Sequence, residues 1–365
     1  MSDLEALDPH EAMEMWLDHQ RTNRSEATIQ SYTYRVGIFV EWCESEGITD
    51  LNDLTGRDLH RFDAERRSEG LSVSTVNNQM GTLRLFLRFC ETIDGVRDGL
   101  AETVDPPSVR KAERADSEKL EPERAQTIFD QLHRFEYGSF DHALFALAWH
   151  TGMRLGGLRA LDVEDCYLEA DDLDRLPQRV PVSDEVLGDV EPPFVWVPHH
   201  EGTTALKNQR DGERAVALLD DYADVLRAYI NVNRPSITDE NDRRPLFCTS
   251  KGDGRASKGT LRRHIYKITQ PCRFGDCPHG RDPEECVARE HGRESRCPSV
   301  RKPHAIRTGA ITHHLDRGWS KTDLGSRVNA TADTIDTHYD WPDKLRRMQS
   351  RRSLLDTLDE DGDEQ

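Results

Sequence analysis

PHAIRTGAITHHLDRG, residues 303–318, is the stretch on which the reading of this chain turns. It reads as a helix opened by Pro303, with His304 and Arg307 three residues apart on one face. Tyr339 follows His304 by 35 residues, in IDTHYDW (residues 335–341), and the segment Arg327-Val328-Asn329-Ala330 lies between them. Upstream, Thr151-Gly152-Met153-Arg154 closes an apolar helical run, SFDHALFALAWHTGM (residues 139–153). Lys207 sits in a polar turn between two strand-like runs, FVWVPHH (residues 194–200) and ERAVAL (residues 213–218). Singly, each of these is the kind of charged or aromatic residue that serves structure as often as function.

Together they describe a chemistry. Two arginines and a lysine cradle a phosphate, the guanidinium groups offering paired donors to its non-bridging oxygens. A histidine exchanges a proton near neutral pH. A tyrosine hydroxyl, weak at its free pKa of about 10, becomes a covalent nucleophile where cations stabilise the phenolate. The set points to phosphoryl transfer through a phosphotyrosine, driven by positioning and charge rather than by a catalytic metal.

Outward from this constellation the chain divides. Residues 9–93 read as four helices. SEATIQSYTYRVGIFVEWCESEG (residues 25–47) is capped by Ser25 and repeats Ile29, Tyr32, Val36, Phe39, Val40 and Cys43 on one face. Another helix opens at a Thr55 cap and stops at Gly70, and the next carries Val76, Met80, Leu83, Leu87 and Cys90. The expected organisation is an all-α domain over residues 1–104, a charged and proline-bearing linker over 105–120, and a larger domain over 121–355 that mixes helices with short β-type runs. The runs are FVWVPHH, ERAVAL and PLFCTS (residues 245–250). Residues 162–192 hold 11 Asp+Glu against 2 Arg and read as an acidic surface insertion. Residues 356–365 read as a disordered acidic tail.

Here the sequence resembles the tyrosine recombinases, or phage-type integrases, in their Xer-like form. That family's pattern runs Arg, Lys in a β-turn, His-x-x-Arg, His or Trp, then a nucleophilic Tyr near the C-terminus. TGMR supplies Arg154, LKNQRDGERAVAL Lys207, HAIR His304 and Arg307, and THYD Tyr339; TIQSYTYRVGIFVEWC and STVNNQMGTLRLFLRFC match the family's helical core-binding domain. The resemblance spans about residues 9–350. It implies a mainly α fold with a small antiparallel sheet: an N-terminal core-binding (SAM-like) domain and an α+β catalytic domain that together clamp duplex DNA. It implies site-specific recombination through a 3′-phosphotyrosyl intermediate, with four protomers on two DNA sites and no catalytic cofactor. Tyr339 would be the nucleophile. Arg154 and Arg307 would hold the phosphate, Lys207 would protonate the leaving 5′-oxygen, and His304 would assist proton transfer. A DNA-binding relative without strand exchange and a type IB topoisomerase are the competing readings.

The chain departs from the pattern at three points. Gly157 stands where the family often has Glu. The His or Trp nine residues before the Tyr is Ala330, so neighbouring Asn329 is the candidate hydrogen-bond donor to the phosphate, although an amide exchanges no proton. The intervals around Lys207 are also long. The second of them contains PCRFGDCPHGRDPEECVAREHGRESRC (residues 271–297), with Cys272, Cys277, Cys286 and Cys297 spaced C-x4-C-x8-C-x10-C. Four thiols in a polar Gly/Pro-rich stretch suit a tetrahedral structural zinc, with His279 as an alternative ligand; a loop of free thiols and a redox disulfide are the other readings.

Composition bounds the rest. Of 365 residues, 49 Lys+Arg face 68 Asp+Glu, a net charge of −19, and the basic residues are 40 Arg against 9 Lys. Scarce lysine with abundant aspartate suits a cytoplasm of multimolar salt, where carboxylates keep a surface hydrated; an ordinary acidic protein is the alternative. Residues 251–310 reverse the sign, with 14 Lys+Arg against 7 Asp+Glu, a basic strip on an acidic chain that fits a polyanion-binding face. No apolar run reaches the roughly 20 residues of a membrane span. The acidic start, MSDLEALDPHEAMEMW, lacks an apolar secretory core, and a cytoplasmic location without a disulfide framework is expected.

Overall fold

The computed structural model describes residues 6–108 and 118–339, together with Leu345, Met348, Gln349 and Arg352. The expected acidic tail, most of the final helical stretch and the middle of the expected linker lie outside the described residues. The chain separates into two compact units, residues 1–115 and 116–365.

The first unit is a bundle of α1 (Pro9–Arg21), α2 (Glu26–Ser45), α3 (Gly56–Ser68) and α4 (Val73–Thr92). Ser25 and Ser72 cap α2 and α4 by accepting from the backbone three residues on, and Thr55 with Asp58 forms a capping box on α3. Trp16, Phe39, Phe62 and Phe86 meet edge to face in its core. Aromatic edge-to-face pairs of this kind add about 0.5–1.5 kcal/mol each beyond the area they bury.

In the second unit α5 (Pro122–Phe135) and α6 (Phe140–Thr151) precede α7 (Leu155–Ala160), followed by α8 (Asp220–Ala228), α9 (Lys258–Ile268), α10 (Pro303–Asp316), α11 (Lys321–Val328) and α12 (Ala332–His338). Helix α6 packs against α5, α8, α9 and α10 and is buried from His142 through Trp149. That is why its sequence is apolar on every face. Gly152 ends it in the left-handed conformation (φ 58°), and a Cβ there would come within 3.3 Å of Val328. The chain therefore turns sharply enough to place Arg154 at the start of α7.

A three-stranded antiparallel sheet lies in the order β1 (Cys166–Tyr167), β2 (Phe194–Val197), β3 (Arg214–Ala217). Two of its strands are the expected ones. The third is not PLFCTS, whose backbone is spent elsewhere: Leu246 N donates to Leu161 O, and Ala256 N and Thr249 N close a tight return onto Phe247 O and Gly254 O. The third strand comes instead from within the acidic segment, which is not all surface. Asp162 and Asp165 are fully buried, Asp162 pairing with Arg255, and Tyr167 stacks on Phe194 at 4.6 Å over a small core of its own with Leu176. Charge counting misjudged it because a carboxylate matched to a buried guanidinium belongs to the interior. Among the described residues no helix is long and apolar enough to cross a membrane.

Candidate active site

Arg307 is the centre of the site. It lies one turn into α10 and is only 2% exposed, so its guanidinium must find acceptors inside the protein. Nη1 donates to Gly152 O (2.7 Å) and Val328 O (2.8 Å), and Nε donates to the Tyr339 hydroxyl (3.1 Å). Nη2 is buried and has no partner among the described residues. Burial pushes the Arg307 pKa down to about 10; the adjoining Tyr339 opposes that shift and nearby Arg154 adds to it.

Tyr339 follows α12. Its ring is buried (3% exposed) in a cluster with Ile311, Leu315, Leu324, Val328 and Ile335, and Arg307 lies over it at 5.2 Å. The Thr312 hydroxyl donates to the Tyr339 carbonyl (3.1 Å), pinning the backbone to α10. His304, one turn before Arg307 and exposed, holds its ring 5.5 Å from that of Tyr339. Arg154 enters from α7, its Nη1 donating to Asn329 O at 2.6 Å.

Two further arginines complete the cluster. Arg214, at the head of β3, donates from Nε to Arg327 O (2.7 Å) and from Nη1 to Gly212 O (2.8 Å). Arg327, in the last turn of α11, donates to Ala217 O (2.9 Å) and His150 O (3.1 Å). Burial lowers both to about 10, and for Arg214 the charges of Arg307, Arg154 and Arg327 follow as causes. His150 beside them is pushed down to about 3, by burial first and then by Arg327 and His314, so at neutral pH it is an uncharged acceptor, taking the Leu219 N–H at 3.2 Å. Among the described residues no carboxylate pairs with Arg154, Arg214, Arg307 or Arg327. In a chain of net charge −19, four arginines held by neutral carbonyls keep their positive field for something else. A dianionic or monoanionic phosphate is the natural complement.

Arg154, His304, Arg307, Asn329 and Tyr339 are thus gathered in one place. Lys207 is exposed in the long β2–β3 connection, and its neighbour Asn208 ties that connection to the cluster, its amide donating to Asn329 Oδ1 at 2.9 Å. Gly157, at the position where the family often has Glu, faces Met153 and Val197, an apolar surround. Nothing in the sequence singles out Arg214 or Arg327: Arg327 is one residue of the segment that also holds Asn329, and Arg214 is one charge in a strand-like run.

The cysteine segment is a separate matter. Cys297 is buried with Ala288 and Val300, and Cys286 packs against them. His279 shares a hydrogen bond with Ser299 (2.9 Å). Cys272 is raised by burial and by the neighbouring thiols of Cys277 and Cys297. Among the described residues, no group of three or more Cys, His, Asp or Glu is arranged to hold a metal ion.

Comparison with known proteins points one way. Residues 14–92 match the phage integrase N-terminal SAM-like domain. Tyrosine recombinase XerC of Treponema denticola is 31% identical over 166 residues, 43% of this chain and 51% of that protein, so the chain spans about half the length of the curated relatives it matches. The Tn1549 transposon integrase, solved in complex with a circular intermediate DNA, has the same fold across 97% of this chain and 100% of that one (TM-score 0.58, 15% identity). A lambda integrase tetramer, solved on a Holliday junction, covers 92% of this chain and 78% of that one (TM-score 0.56, 12% identity). The fold is the expected one: mainly helical, with a small antiparallel sheet, a SAM-like first unit and an integrase-type second unit.

Proposed function

We propose that this chain is a member of the tyrosine recombinase family, a site-specific DNA recombinase that cleaves and rejoins duplex DNA through a 3′-phosphotyrosyl intermediate. The observation that carries the proposal is the Tyr339 hydroxyl bonded to a buried arginine whose Nη2 has no partner among the described residues, inside a cluster of arginines with which no described carboxylate pairs. In the cleavage step the Tyr339 oxygen bonds to phosphorus and the bond from phosphorus to the 5′-oxygen breaks. His304 takes the tyrosine proton and Lys207 supplies one to the departing 5′-oxygen. Arg154 and Arg307 hold the non-bridging oxygens, whose charge grows in the transition state. The phosphotyrosyl bond conserves the energy of the one broken, so no nucleotide cofactor enters. The tetrameric assembly of the lambda integrase structure is the working form proposed here, with double-stranded DNA as the partner and the cytoplasm as the compartment.

One observation favours a second reading, a relative that binds DNA without recombining it: Ala330 offers no hydrogen-bonding side chain where the family has His or Trp. Covalent trapping separates the two. A nicked duplex selected from a random-sequence pool by capture on the chain yields a protein–DNA adduct under the first reading and none under the second.

Two expectations from composition belong to this proposal. A structural zinc on Cys272, Cys277, Cys286 and Cys297, or with His279 for one of them, would draw together a segment whose regular structure is limited to short 3-10 turns. Elemental analysis of protein purified without chelator is expected to find one zinc per chain; a value near zero with four freely titrating thiols would assign a loop. The second is salt. Carboxylates that repel one another and the DNA at low ionic strength are screened once the Debye length falls to about 3 Å. Folding and cleavage are therefore expected to improve together between about 0.1 M and 2 M KCl, against the usual loss of DNA affinity with salt. Adduct yield and circular dichroism recorded across that range test this, and steady loss of cleavage by a protein that stays folded would sink it.

A further inference from the structure

We propose that Asn329 is a positioning residue whose side chain latches the Lys207 turn to the site while its backbone aims Arg154; the proposal rests on the recombinase reading. The position is unusual. Asn329 ends α11 in the left-handed conformation (φ 53°, ψ 65°), which asparagine adopts more readily than other residues with a side chain. The next residue is fixed as well, Ala330 N donating to Gly325 O at 3.0 Å.

This turn points two groups of one residue at Arg154 and at Asn208, the neighbour of Lys207. The Asn329 carbonyl accepts from Arg154 Nη1 at 2.6 Å. Its amide oxygen accepts from Asn208 Nδ2 at 2.9 Å, across 121 residues of sequence. The amide nitrogen lies over Gly212, where a Cβ would come within 2.7 Å of it and push the amide aside. On the other side of Lys207, Leu206 is buried and its N–H donates to His199 Nδ1 at 3.1 Å. Lys207 is exposed between two tethered neighbours, Leu206 seated in the protein and Asn208 held by Asn329.

An exposed lysine on a 16-residue connection between strands has many places to be, and a general acid must be within hydrogen-bond reach of the leaving oxygen. The amide pair removes much of that freedom.

The test separates a positioning role from a structural one by changing the leaving group. A thiol ionises near pH 8.5 where a hydroxyl resembles water at roughly 15.7, so a DNA whose scissile 5′-bridging oxygen is sulfur departs without an acid. The probes are one nicked duplex, selected from a random-sequence pool by covalent capture on the unsubstituted chain, made with oxygen or with sulfur at that atom. Asn208→Ala and Asn329→Gly both remove the amide pair, and glycine keeps the left-handed backbone. Each is expected to slow adduct formation on the oxygen substrate about fivefold to tenfold, the worth of one hydrogen bond, and to match the unsubstituted chain on sulfur. Lys207→Ala should show the same pattern with a larger loss, and Arg307→Ala should remain slow on both. Equal slowing of the two asparagine variants on oxygen and sulfur, or no slowing on either, would overturn the latch and leave the recombinase reading standing. An unsubstituted chain that captures no DNA from the pool would overturn both.

Discussion

Tyr339→Phe is expected to abolish covalent protein–DNA adducts while leaving DNA affinity within a few fold. The substitution removes one oxygen, and on the proposed mechanism that oxygen is the atom that bonds to phosphorus, so no slower route through the same residue remains. The phenyl ring keeps its place among Ile311, Leu315, Leu324 and Ile335, because the packing is apolar and the shape is unchanged. The local cost is the acceptor for Arg307 Nε, which then has none of the described groups in its place. One lost hydrogen bond to a charged donor is worth about 1.5–3 kcal/mol, enough to lower the melting temperature but not to unfold a unit with its own large core. The measurement is denaturing electrophoresis after incubation with nicked DNA, with binding followed separately by gel shift. Adducts that persist in the phenylalanine variant would mean that another residue is the nucleophile.

Arg307→Ala is expected to reduce cleavage by at least the 10²–10³-fold typical of removing one donor from a site that stabilises developing charge. The effect should exceed that of an ordinary donor, since on the proposed mechanism Arg307 serves the phosphate as well as the tyrosine oxygen it already bonds. The same guanidinium satisfies Gly152 O and Val328 O in the interior, and each carbonyl left bare costs about 1–3 kcal/mol. Lost activity could then be lost structure. Arg307→Lys resolves this: the ammonium keeps a charge in the same place but lacks the planar fork that serves two carbonyls and the tyrosine at once. Low cleavage in a lysine variant with an unchanged circular dichroism spectrum and melting curve is the expected outcome. Near-normal cleavage by both variants would remove the phosphate-cradle reading altogether.

How much of this was legible beforehand depends on the range over which each residue acts. His304 and Arg307 could be paired because three residues of helix bring them together without help from the rest of the chain. Ser25 and Thr55 could be recognised as caps for the same reason, since the donors they satisfy lie three residues on. PLFCTS misled because β-propensity reports a half-buried apolar surface, and a tight return pinned to Leu161 meets that description as well as a strand does. Its place in the sheet was taken by Cys166 and Tyr167, two residues inside a run of carboxylates. Arg214 and Arg327 are not legible in the sequence because what marks them is that no carboxylate among the described residues pairs with them, a property of the assembled interior. The cysteine spacing could suggest a metal, but whether four thiols converge depends on a path with no periodic pattern to follow.

Consecutive residues were enough for the helical character of the chain and for the order of Arg154, Lys207, His304, Arg307 and Tyr339. Those follow from apolar periodicity, capping residues and spacing, which are local interactions written directly into consecutive residues. Long-range packing alone set the bond from Arg307 to the Tyr339 hydroxyl, the approach of Arg214 and Arg327, and the link that Asn329 makes between Arg154 and the turn carrying Lys207. These contacts join groups from 32 to 175 residues apart, and they depend on which acceptors the packed helices leave unpaired. A buried guanidinium takes whatever acceptor the interior presents, because leaving its N–H groups dry is too costly, and the identity of that acceptor is settled only when the helices have docked.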